Sequence, residues 1–209
     1  SEMCIRDRYK YILFDLDGTI TESGPGIMNS VEYALNKMNR EVGERDILKK
    51  FIGPPLTESM EKYYGMSEEE ALLGVKYYRE YYAVKGIFEN SVYEGLAETL
   101  ESLKNEGYIL AVATSKPEEY AKRIADKFDF AKYFAGIYGA TMDGSLIRKA
   151  DVIRYALDNL GVERENYDQV VMVGDRNNDI YGAKENGIQV IGVLYGCLLY
   201  TSPSPRDTR

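Results

Sequence analysis

One stretch constrains this chain more than any other: Tyr11-Ile-Leu-Phe-Asp15-Leu-Asp17-Gly18-Thr19. Residues 10–14 alternate too little for a half-exposed strand and read as a strand buried in a parallel sheet. That strand ends abruptly in two carboxylates one residue apart, then Gly-Thr. Delivering paired acids to the tip of a buried strand costs free energy unless the acids are put to use.

The pattern after residue 88 says what surrounds this strand. Leu96 to Asn105 reads as helix, Tyr108 to Ala113 as a buried strand ending in Thr114-Ser115-Lys116-Pro117, and Glu118 to Phe128 as helix. A short strand at Ile137-Tyr138, a helix from Lys149 to Leu160, a strand at Val170–Val173 before Gly174-Asp175, a helix from Ile180 to Glu185 and a last strand at Gln189–Val193 follow. Such alternation implies right-handed crossovers and a parallel sheet, an α/β fold. Residues 21 to about 88 show no convincing strand. Pro25 near a first turn, a helix from Glu44 to Ile52, the breaker Gly53-Pro54-Pro55, a helix from Thr57 to Tyr64 and a capping-box start at Ser67–Glu70 mark a helical insert. The predicted division is a core of residues 9–20 and 90–196 with an inserted helical cap of residues 21–89.

The two ends read differently. Ser1–Arg8 can be encoded by TCG GAG ATG TGT ATA AGA GAC AG(N), and the reverse complement, read from its second base, translates as Cys197-Leu-Leu-Tyr-Thr-Ser-Pro203. One oligonucleotide in two orientations accounts for both, so residues 1–8 and 197–209 resemble translated sequencing adapter and are set aside as non-native. Both cysteines fall there, which leaves no basis for a disulfide. On this reading the last part of the core is truncated.

Composition removes several function classes. A net charge of −8 disfavours nucleic acid polymers or an anionic membrane surface as the main partner, and no apolar run is long enough to span a bilayer. With no histidine in the chain, Ser-His-Asp and Cys-His catalysis and His-ligated zinc are excluded. Acid–base work falls to carboxylates or lysine.

Ligands of open α/β sheets gather at the carboxyl ends of strands, near the switch in strand order. If Asp15, Asp17, Thr114, Ser115, Lys149, Asp175 and Asp179 meet there, three carboxylates and a phosphate need cations beside them. Hard oxygen ligands select Mg²⁺, held by Asp15, Asp175 and the backbone carbonyl of Asp17. Asp15 would then attack phosphorus, and Asp17 would protonate the leaving alkoxide and later deprotonate water. Thr114 and backbone N–H groups, with Gly18 and Ser115 as further phosphate contacts, would hold the transferring oxygens, and Lys149 would supply a fixed positive charge. Each residue also has a plainer reading. Thr114 or Ser115 can serve as a helix cap, Lys149 as a solvated helix start, and Asp179 as a favourable first-turn acid, while Lys116 reads as a phosphate contact or, more plainly, as a solvated lysine. The tyrosines of the insert, Tyr63, Tyr64, Tyr77, Tyr78, Tyr81 and Tyr82, read as cap core with wet hydroxyls or as a stacking surface for a nucleobase. Gly53, Pro54 and Pro55 read as a substrate loop or as a mere connector.

Taken together these residues resemble the haloacid dehalogenase-like hydrolase superfamily. Asp15-Leu-Asp17-Gly-Thr19 matches its first motif, Thr114 the second, Lys149 the third, and Gly174-Asp175 with Asp179 the fourth. The resemblance implies a Rossmann-like three-layer α/β/α core with strand order 5-4-1-2-3 and an α-helical cap. Ser23-Gly-Pro-Gly, Phe51–Leu56 and Ala113–Pro117 are most similar to the phosphoglycolate phosphatase branch and its bacterial 5'-nucleotidase-like members. It implies a cytoplasmic, Mg²⁺-dependent phosphatase of a small phosphorylated metabolite, a 5'-nucleotide first and 2-phosphoglycolate second. A sugar phosphomutase and a catalytically silent phosphate-binding module stand as alternatives. Arg176 departs from the family's common Thr, with no expected effect on the metal.

Overall fold

The structure, a computed structural model, describes residues 8–196; both predicted adapter ends, apart from Arg8, lie outside them. The chain divides into two compact units, residues 22–91 and the remainder on either side.

The second of these is built on β1 (Tyr11–Phe14). It pairs in parallel with β4 (Ile109–Pro117) on one side and β6 (Val170–Gly174) on the other, Tyr11 lying opposite both Ile109 and Val170. With β5 (Gly136–Ala140) and β7 (Gln189–Gly192) outermost, the order is β5-β4-β1-β6-β7, all pairs parallel. Renumbered within the sheet, this is the 5-4-1-2-3 order that the resemblance implied. The inner strands are apolar on both faces because both are covered, while β7 at the edge is largely exposed. Leu13, Ala111 and Met172 share a core with Val152 and Ile153 of α6 (Lys149–Asn159) and Ala183 of α7 (Asn177–Glu185). Ile12, Leu110 and Val112, of opposite parity, are equally buried. The remaining helices, α4 (Leu96–Asn105) and α5 (Glu118–Lys127), pack against β4.

The helical unit comprises α1 (Gly24–Lys37), α2 (Leu56–Tyr64) and α3 (Glu68–Tyr82). Pro25 sits in the first turn of α1, where its missing N–H costs nothing. Gly65 ends α2 at φ 60°, a left-handed position. Ser67 and Glu70 close the predicted capping box of α3, Ser67 Oγ accepting from the Glu70 amide and Glu70 Oε2 from the Ser67 amide. Arg40 adds an ion pair to Glu70 at 2.7 Å. Tyr78 and Tyr82 are buried and stacked, ring centroids 5.2 Å apart, so these two tyrosines are core.

Three expectations need correction. The helix predicted over Glu44–Ile52 is a 3₁₀ helix over Arg45–Phe51, in which only Leu48 and Phe51 are buried, too few to fix an α-helical stripe. The stretch thought strandless holds β2 (Thr21–Glu22), which with β3 (Ser91–Val92) forms a two-stranded sheet; two residues carry no readable periodicity. Finally, β4 continues past Ala113 to Pro117, with an irregularity in its pairing to β5 between Thr114 and Pro117.

Candidate active site

The sheet's strand order reverses at β1, so the carboxyl ends of β1, β4 and β6 lie side by side, where α/β sheets bind ligands. Asp15 follows β1 directly, its amide donating to Val173 O at 2.9 Å. Asp175 follows β6, and α7 brings Asp179 back over the same strand end. Asp15, Asp175 and Asp179 are all buried, and each offers a carboxylate oxygen within 4.8 Å of the others.

Lys149, the first residue of α6, holds this group together. Its ammonium reaches Asp15 Oδ1 at 2.7 Å, Asp179 Oδ1 at 2.9 Å and Ala113 O at 3.1 Å. Three acceptors meet the three protons of the ammonium, and the three acceptors belong to the ends of β1 and β4 and to α7. Burial alone would lower the lysine's pKa; the two carboxylates outweigh it and hold the group above its usual 10.5. Burial raises the Asp179 carboxyl above its ordinary 3.8, with Lys149 opposing and the Asp15 charge adding to the rise. Asp179 also accepts from the Arg176 amide at 3.0 Å, so it is both a first-turn acid of α7 and the second anchor of Lys149.

Two glycines make room for these acids. Gly18 has φ 89°, and a Cβ there would stand 2.3 Å from Asp175 Oδ2. A Cβ on Gly174 would meet Asp179 Cγ at 2.3 Å. The Gly18 amide donates to Thr21 O at 2.7 Å, so in this structure it closes the loop after β1. Thr19 Oγ1 donates to Asp175 Oδ1 at 3.4 Å, and Tyr195 OH to Thr19 O at 2.9 Å.

Thr114 is buried at the β4 end, its hydroxyl accepting from the Lys116 amide at 3.2 Å, while Ser115 is half-buried. Gly53, Pro54 and Pro55 lie in the helical unit, between the 3₁₀ helix and α2. One residue differs from its plainer expectation. Lys116 is not solvated: it is 8% exposed, and its ammonium lies 2.9 Å from Asp17 Oδ2. Arg176 Nε stands 3.8 Å from Asp175 Oδ2. The burial of Lys116 follows from the irregular pairing of β4 with β5 between Thr114 and Pro117. Once β4 runs to Pro117, Lys116 lies two residues beyond Thr114 at the same sheet end.

The donor set fits a hard divalent cation. It is made of carboxylate oxygens alone, three acids are buried together, and Lys149 leaves a net negative charge among them.

Residues 12–193 match the haloacid dehalogenase-like hydrolase family, and the chain belongs to it. Hydrolases of this family generally use a metal ion. A 5'-nucleotidase of Pseudomonas aeruginosa is 43% identical over 189 residues, 90% of this chain and 84% of the relative. A phosphoglycolate phosphatase of Aquifex aeolicus is 31% identical, covering 95% of this chain and 91% of the relative. Tyrosine-protein kinase PtkA of Mycobacterium tuberculosis is 40% identical over 88% of this chain, which spans 62% of that protein. Among solved structures, a predicted phosphatase from Clostridium acetobutylicum superposes with a TM-score of 0.84 at 47% identity, over 91% of this chain and 87% of that one.

Proposed function

We propose that this phosphatase hydrolyses a small phosphate monoester through an aspartyl-phosphate on Asp15. The observation that carries the reading is the buried Lys149 bridge, which fixes Asp15 Oδ1 beside the strand end where a phosphate would enter. The other carboxylate oxygen, Oδ2, attacks phosphorus as the bond to the leaving oxygen breaks. Asp17, protonated, gives its proton to that oxygen, and the resulting carboxylate then takes a proton from the water that attacks the phosphoenzyme and frees Asp15. Thr114, Ser115 and the Gly18 amide, turned from Thr21, contact the transferring oxygens, with Lys149 balancing their charge. Mg²⁺ bound by Asp15, Asp175 and the Asp17 carbonyl would neutralise and orient the phosphate.

A 5'-nucleotide is the first substrate, supported by the 43% identity to a 5'-nucleotidase. 2-Phosphoglycolate is the second, supported by the 31% relative. Phosphate release from a panel of nucleoside 5'-monophosphates, 2-phosphoglycolate and an aryl phosphate, with Mg²⁺ present, tests both. Turnover of the nucleotides by the wild type and none by a folded Asp15→Asn variant is expected. Wild-type activity in that variant would refute the mechanism. Substrate conversion without phosphate release would point to a mutase, and ligand-induced melting shifts without turnover to a silent binding module.

A further inference from the structure

We propose that Lys116 is a positioning residue for Asp17, holding its carboxylate at the strand end where it exchanges protons with the leaving group and with water. This rests on the phosphatase reading above and adds to it a residue that reading does not use.

A lysine is seldom buried without a partner, because desolvating an ammonium is costly. Here Lys116 is 8% exposed and its ammonium is directed onto Asp17 Oδ2 at 2.9 Å. The backbone explains how it reaches that place. Pairing between β4 and β5 runs to Thr114 opposite Gly139 and resumes with Pro117 opposite Ala140, so Ser115 and Lys116 are skipped. Gly139 leaves space for the skip, since a Cβ there would stand 2.6 Å from Lys116 O. The Lys116 amide then donates to Thr114 Oγ1. The lysine therefore projects from a backbone held on both sides, at the end of a central strand.

Asp17 lies on the loop between β1 and β2, its backbone bridged to Thr21. Its Oδ1 is buried and has no hydrogen-bond partner among the described residues. With Oδ2 held by Lys116 and Oδ1 making no competing hydrogen bond among the described residues, the lysine is the contact that sets where this carboxylate stands. Lys149 stands in the same relation to Asp15, so each acid of the pair has its own lysine, drawn from a different element. The two cations thus do separate work: one beside the attacking group, one beside the proton donor.

The test compares the full-length wild type with Lys116→Met and Lys116→Arg on two esters: a nucleoside 5'-monophosphate, whose alkoxide needs a proton to leave, and p-nitrophenyl phosphate, whose phenolate does not. General acid catalysis supplies ~10²–10⁴-fold, so kcat/KM of Lys116→Met should fall ~100-fold on the nucleotide and under ~5-fold on the aryl ester. On the aryl ester kcat should fall with a burst of nitrophenolate, because hydrolysis of the phosphoenzyme still needs Asp17 as base. Lys116→Arg should recover part of the nucleotide loss, and should carry the same leaving-group split in milder form if the Met variant does not fold. An equal fall on both esters, or a loss confined to KM, overturns the positioning role while leaving the phosphatase intact. A wild type that releases phosphate from neither ester overturns the phosphatase reading, and this proposal with it.

Discussion

Replacing Lys149 by Met is the most informative single perturbation of this site. It removes the ammonium that meets Asp15 Oδ1, Asp179 Oδ1 and Ala113 O, while roughly conserving side-chain volume. Two carboxylates that are 6% and 1% exposed then lose their shared cation. Removing one partner of a buried ion pair costs about 3–5 kcal/mol. For a fold of this size that corresponds to a fall in Tm of roughly 6–20 °C, read by calorimetry in EDTA so that no divalent cation substitutes for the lysine. The pH dependence has a definite sign. Burial already raises the Asp179 carboxyl above its ordinary 3.8, and the variant loses the lysine that opposes the rise, so native Asp179 binds more protons than in the unfolded chain, and the gap to wild type narrows as pH falls below neutrality. Adding Asp179→Asn removes one of the two facing charges and should recover about 1–3 kcal/mol as a coupling between the sites. A Lys149→Met protein that melts within ~2 °C of wild type at pH 7.5, or a double variant no more stable than the single one, would refute the view of Lys149 as the structural hub.

Gly174→Ala should lower Tm by roughly 2–12 °C, from an overpacking cost of about 1–3 kcal/mol. The new methyl meets Asp179 Cγ at 2.3 Å, and that carboxylate is held by Lys149 and the Arg176 amide; a wild-type melting curve would show that Asp179 moves freely. In the helical unit, the Ser67 amide and Arg40 hold the Glu70 carboxyl below its ordinary 4.5. Its contribution is therefore complete above pH 4.5 and disappears as pH falls through the folded value. Glu70→Gln should flatten the Tm-against-pH curve on the acid side, below the ordinary 4.5, with less change in its slope above; an acid limb as steep as in wild type would argue against the capping box as its source.

Strand 1 and the acids behind it were readable because a buried parallel strand leaves an unbroken apolar run, and because Asp15, Asp17, Asp175 and Asp179 stand at fixed offsets from strand ends. The helices of the sheet unit were readable for a related reason: glycines at 107, 161 and 187 take positive φ just beyond them. Lys116 was misread because its burial depends on a pairing irregularity with β5, a strand more than twenty residues later. No local pattern separates a solvated lysine from one turned inward by a partner strand. The short ribbon of β2 and β3 escaped for want of length, and the 3₁₀ helix of residues 45–51 for want of a buried stripe.

The position of β1 has a consequence for how the chain folds. Among the described residues the strand that comes first in the chain is the central one, and its partners begin only at Ile109 and Val170. During synthesis β1 waits unpaired, an apolar segment with both edges open, until most of the chain has emerged. The helical unit shortens part of that wait. Once residues 22–91 have folded, the free chain between β1 and β4 shrinks from about ninety residues to about two dozen, which reduces the loop-closure cost by about 1 kcal/mol. The insertion thus acts as a clip that brings the sheet's first two strands within reach, and damage to it should slow assembly of the catalytic sheet even where no residue of the site is touched.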